Sequence, residues 1–76
     1  MSPKIDQKFN ELFTFYRGTF LGETAILHLM KQEVRRNIKE LELIKERNNL
    51  PIIRDRLKFY ELFLNYIQIY ERKNAN

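Results

Sequence analysis

Apolar residues recur along this chain at intervals of three and four, the spacing of one face of an α-helix, and no strand-like alternation competes with that pattern. Ile5, Phe9, Leu12, Phe13 and Tyr16 share a face and predict a first helix over 3–17. Ser2 can cap it, and Pro3 is tolerated at the first helical position. Gly18 and Gly22 then bracket Thr19, Phe20 and Leu21, and each glycine weakens a helix by about 1 kcal/mol relative to alanine, so a break is expected there. Leu27, Met30, Val34, Asn37, Leu41 and Ile44 form the seam of a second helix over 23–47, with a polar residue in its middle. Asn48, Asn49, Leu50 and Pro51 end it: asparagine accepts a left-handed cap, and proline begins a helix more readily than it continues one. The third helix, over 51–73, carries Ile53, Leu57, Tyr60, Leu64 and Ile67 on one stripe, with Ile52, Phe59, Phe63, Tyr66 and Tyr70 beside it.

Two short connections between three helices predict an all-α fold, an antiparallel three-helix bundle whose long second and third helices form a hairpin. Residues 1–76 form one domain, with fraying expected only at Asn74, Ala75 and Asn76. With Leu62 and Ile69 included, the apolar arc of the third helix covers more than half its circumference, leaving Lys58, Glu61, Asn65, Gln68 and Arg72 as the polar strip. Two partner helices do not need so wide an arc. Either a cavity or ligand lies against this helix, or part of it faces another protein.

Composition sharpens that expectation. A chain of 76 residues buries only about 60% of the surface its unfolded form exposes, and burial then barely offsets the entropy of ordering. There is no cysteine to form a disulfide, and His28 is the single histidine, which leaves little for a structural zinc site. A protein partner or self-association is the remaining source of stability. Catalysis is not expected: His28 lies between Leu27 and Leu29 with no nucleophile or acid tied to it, and no phosphate loop, dinucleotide loop or His-Glu-x-x-His motif is present. No metal site or cofactor of its own is expected, since the Glu-x-x-His motif of helical di-iron proteins is also missing.

Fourteen Lys and Arg against ten Asp and Glu leave a net charge of +4, which favours an acidic partner, whether protein, nucleic acid or anionic lipid. No apolar run reaches the ~18 residues of a membrane span, so no membrane crossing is expected. Neither a secretory h-region nor an acid-poor presequence is visible at the N-terminus. The basic residues gather on either side of the second turn, as Lys31, Arg35, Arg36, Lys39 and Arg47, and as Arg54, Arg56 and Lys58. Two readings of these patches stay open. They are either a solvated face bridged to Glu33, Glu40, Glu42 and Glu46, or a dock for acidic protein or phosphate. The aromatic residues sit at core spacing and are not set out as stacking platforms for bases. Gly18 and Gly22 have the spacing of a helix-contact motif, but a helix break is the plainer reading; Asn37 is either a register-setting seam residue or an exposed seam edge.

The segment Leu12, Phe13, Thr14, Phe15, Tyr16, Arg17, Gly18, Thr19, Phe20 resembles the helix-one signature of the LYR-motif family, with Phe15 where the family has leucine and Phe20 as the apolar residue three after the arginine. Ile26 stands at a later apolar position where phenylalanine is common. Val34 to Lys39 resembles the basic second helix, and Glu46 to Pro51 its charged exit. Leu21 replaces a basic residue, Gly18 and Gly22 are unlike the family, and the first connection is shorter. The resemblance implies a small basic accessory subunit or assembly factor of mitochondria, binding the acidic acyl carrier protein and the acyl-phosphopantetheine group it presents. Tyr16 and Arg17 then belong to the motif, and Arg35, Arg36 and Lys39 meet carrier acids. By the same resemblance, Phe59, Phe63, Tyr66 and Tyr70 on the third helix line an apolar groove or interface for the acyl chain. The leading expectation is a non-enzymatic basic helical adaptor or accessory subunit stabilised by an acidic protein partner or a larger complex. The alternative is a cytoplasmic basic regulator, of phage or plasmid type, that self-associates as a homo-oligomer through the second and third helices and binds nucleic acid.

Overall fold

The computed structural model describes the backbone of residues 3–74 and the side chains of 3–73. Three helices follow one another, α1 (Pro3–Arg17), α2 (Glu23–Arg47) and α3 (Pro51–Asn74), and no strand occurs among the described residues. The all-α reading holds: α2 and α3 pack closely as a hairpin, and α1 packs on both. Asn74, expected to fray, still belongs to α3; Ser2, read as a cap, lies outside the described residues, as do Ala75 and Asn76.

Both breaks have local causes. Gly22 serves as the N-cap of α2 with extended backbone, φ −73° and ψ 165°, and no side chain caps the exposed amides. Its carbonyl instead accepts the first intrahelical bond, from the Ile26 amide at 3.0 Å. Between the helices the chain is tied down by the Thr19 hydroxyl, which donates to the Tyr16 carbonyl and accepts from the Leu21 amide at 3.3 Å. The second turn differs from expectation in one respect. Asn48 does not take the left-handed cap; it is extended, at φ −152° and ψ 90°, and its amide donates to the Ile44 carbonyl at 2.8 Å. Pro51 in turn disfavours helical backbone at Leu50, the residue before it, so helix does not continue across the turn. The Leu50 carbonyl then opens α3 by accepting from Ile53 and Arg54.

Charges suit the helix dipoles at most ends: Asp6 and Glu23 lie in first turns, and Arg17, Lys45, Arg47, Arg72 and Lys73 in last turns. The main core joins Phe9 of α1, Ile26, Leu27, Met30 and Val34 of α2, and Phe63 and Ile67 of α3. Each such side chain, fully buried, is worth about 1.5–3 kcal/mol before the entropy of ordering is counted. Ile5 and Leu57 are buried outside that cluster.

Helix length decides where the core stops. The 15 residues of α1 span about 22 Å, while the 25 of α2 span about 37 Å, close to the 40 Å long axis of the molecule. Hydrogen bonds from Tyr66 to Asp6 and from Tyr70 to Glu23 set the directions. Accordingly, α1 runs alongside α3 toward the end where α2 begins, and Lys4 at its start lies beside Asp55, Arg56, Phe59 and Tyr60. The turn end of the hairpin is left uncovered. Leu43, Ile44, Leu50 and Ile52 are exposed there, although the seam pattern had placed Ile44 inside.

Candidate interaction surfaces

Residues singled out in the sequence divide into three places. The first is the junction of α1 with α2, where Tyr16 donates to Glu33 Oε2 at 3.0 Å. Partial burial, then the bond to the Glu33 carboxylate, pushes the Tyr16 phenol above its ordinary value of 10.0, and the nearby positive charge of Arg36 works against that rise. Tyr16 and Arg36 are therefore neighbours. Arg17 instead lies 5.7 Å above the ring of Phe13, in cation–π range, and its charge is felt by Tyr70.

The second place is the outer face of α2. Arg35 and Lys39, four apart, form one exposed ridge, and Arg36 lies about 100° around the helix from Arg35, toward Tyr16. Among the described residues none of the three has a carboxylate within ion-pair distance, so the bridged face considered from the sequence is not formed. Lys31 leaves the patch altogether. Its ammonium meets Glu71 of α3 at 2.8 Å, half-buried, and ties the hairpin together near its open end.

The third place is α3. Phe63 is 0% exposed in the centre of the core and lines no open groove. Tyr66 and Tyr70 pack their rings on Phe9, with centroids 5.1 and 4.8 Å away, and Phe13 stacks behind Phe9 at 5.6 Å. These tyrosines fasten α1 to α3, and their hydroxyls reach Asp6 at 2.6 Å and Glu23 at 3.3 Å. The Tyr66 phenol is raised first by its bond to Asp6 and then by burial; the Tyr70 phenol is raised first by burial and then by the charge of Glu23. Phe59 lies apart, against Phe63 and Tyr60, on the rim of a surface depression that Lys4 also lines. The four residues therefore do not share one open groove: Phe63 is buried, Phe59 lines one depression, and Tyr66 and Tyr70, with α1 on one side, line another with Ile69 and Lys73. A charged residue at Phe63 would report on the fold itself, since a charge buried there has no partner.

Two surfaces were missed in the sequence. One is the uncovered turn end, where Glu40, Leu43, Ile44 and Arg47 line a surface depression, and Asn37, Glu40, Leu41, Ile44, Arg56 and Tyr60 line another. The other is the end of α1 with the connection after it, where Phe15 is 71% exposed and Phe20 fully so. Among the described residues no cluster of His, Asp or Glu is placed to hold a metal ion, and no helix is long and apolar enough to cross a membrane. Comparison with family models, curated proteins and solved structures finds no match to this chain.

Proposed function

We propose that this protein is a non-enzymatic helical adaptor or accessory subunit that docks an acidic protein on the outer face of α2. The observation that carries this reading is the set of exposed cations Arg35, Arg36 and Lys39 on α2, none of which has an ion-pair partner among the described residues. Cations already paired would gain little from an acidic partner, whereas these are available. They also steer its approach, helped by the net charge of +4.

The LYR-like segment makes an acyl carrier protein the specific form of this partner and the mitochondrion its compartment, with Tyr16 and Arg17 at the edge of the contact. Met30, Val34, Phe63 and Ile67 fill the interior, so admitting an acyl chain requires these side chains to repack. Calorimetric titration with an acyl carrier protein, with and without its acyl group, tests the reading. Binding is expected only with the acyl form, and Arg35→Glu with Lys39→Glu should weaken it about tenfold or more. No affinity for the carrier, together with binding to duplex DNA or RNA that falls steeply with salt, would replace the adaptor by the nucleic-acid regulator.

A further inference from the structure

The uncovered turn end of the hairpin has an order of charges that fits one occupant in particular. On α2, Glu40, Leu43, Ile44 and Arg47 follow one another at spacings of three, one and three, which places them on a single stripe. They line one surface depression together. Leu43 and Ile44 are 55% and 46% exposed, a cost in water that two aliphatic side chains on an otherwise polar surface would recover by being covered. Neither Glu40 nor Arg47 has an ion-pair partner among the described residues.

The stripe is its own complement when reversed. Two copies of α2 laid antiparallel, with a two-fold axis between Leu43 and Ile44, bring Glu40 of each chain opposite Arg47 of the other. Leu43 of each then lies opposite Ile44 of the other. A two-fold contact requires this kind of self-complementary patch, in which residue i meets j and j meets i. No described residue of α1 lines the depression formed by Glu40, Leu43, Ile44 and Arg47, and Leu43 and Ile44 are left exposed there. The ridge of Arg35 and Lys39 points elsewhere on α2, while Arg36, one turn before Glu40, shares the stripe's face but lies outside the four residues that pair.

We infer that the Glu40, Leu43, Ile44, Arg47 stripe is a homodimer seam on which a second copy of this chain docks antiparallel, turn end over turn end. An overlap of roughly two helical turns per chain falls below the ~1,200 Å² of stable complexes, so the dimer is weak, with a dissociation constant on the order of tens of micromolar.

Sedimentation equilibrium over a concentration series tests the seam, with circular dichroism to confirm that each variant remains helical. The natural chain should shift from monomer to dimer. Glu40→Arg places arginine at both ends of the stripe and Arg47→Glu places glutamate at both, so each variant alone should dimerise about tenfold more weakly or worse. Mixed in equal amounts, these two variants should pair with each other. The chain carrying both substitutions should dimerise like the natural one, and Leu43→Asp should abolish dimers in either charge background. A natural chain that stays monomeric up to millimolar concentration would overturn the proposal, as would charge-reversed variants that dimerise unchanged or fail to pair when mixed. Binding of an acidic protein or a nucleic acid to this stripe by a chain that stays monomeric would assign it to that partner instead.

Discussion

Three tyrosine hydroxyls bridge the helices, those of Tyr16 and Tyr66 joining α1 to the hairpin and that of Tyr70 joining α3 to α2. Tyr16, Tyr66 and Tyr70 each place an apolar ring in or beside the core and donate the phenol proton to a carboxylate on another helix. All three phenols are raised above 10.0 in the folded state, so folding holds these protons more tightly than the unfolded chain does. That stabilisation is whole below the unfolded value and is lost as pH rises through the folded values. Denaturant melts should therefore show stability independent of tyrosine ionisation at pH 8 and a decline above about pH 10. Tyr66→Phe should cost about 0.5–1.5 kcal/mol at pH 7 and make the alkaline decline shallower. The core positions of these rings could be read from helical spacing, but their acceptors could not. Asp6 and Tyr66 are sixty residues apart, and Lys31 and Glu71 forty, so nothing local in the sequence distinguishes Lys31, a tie between helices, from Arg35, a free cation.

At the scale of elements, Gly22, Asn48 and Pro51 mark the ends of helices clearly enough for the boundaries to be read from the chain. The conformations at those ends were less legible. Gly22 has an ordinary extended backbone, and a Cβ there would meet nothing within 4 Å, so glycine is not required by geometry. Gly22→Ser would supply the missing cap and narrow the unfolded ensemble. It should stabilise the protein by about 0.5–1 kcal/mol, visible as a rise of several degrees in Tm. Asn48 shows the opposite limit: its type suits a left-handed cap, yet it is extended and closes α2 through its amide, which donates to the Ile44 carbonyl. Residue type states what a position tolerates, not which conformation it takes.

For the whole molecule, the wide apolar arc of α3 pointed to something beyond a simple pair of helices, and the structure divides that demand. α1 covers Tyr66 and Tyr70, and α2 covers Phe63 and Ile67, while Ile52 and Leu62 stay exposed. The division follows from lengths, since 15 residues cannot cover a hairpin whose arms have 25 and 24. That comparison was available in the sequence, but periodicity alone marks every seam position as buried, Ile44 included. Length, not hydrophobicity, separates the core from the exposed apolar surface at the turn end.

The connection after α1 has a further consequence, for covalent continuity. Phe20 projects fully into solvent from a short segment outside any helix, and it offers chymotrypsin an aromatic side chain that the folded helices protect elsewhere. A cut after Phe20 would leave α1 held to the hairpin by noncovalent contacts alone, through Ile5, Phe9 and the rings around them and the hydrogen bonds of Tyr16 to Glu33 and of Tyr66 to Asp6. Brief digestion should therefore yield two peptides that still migrate together under native conditions and separate in urea. The first helix would then be a noncovalent ligand of the other two, exchangeable for a synthetic peptide of the same sequence.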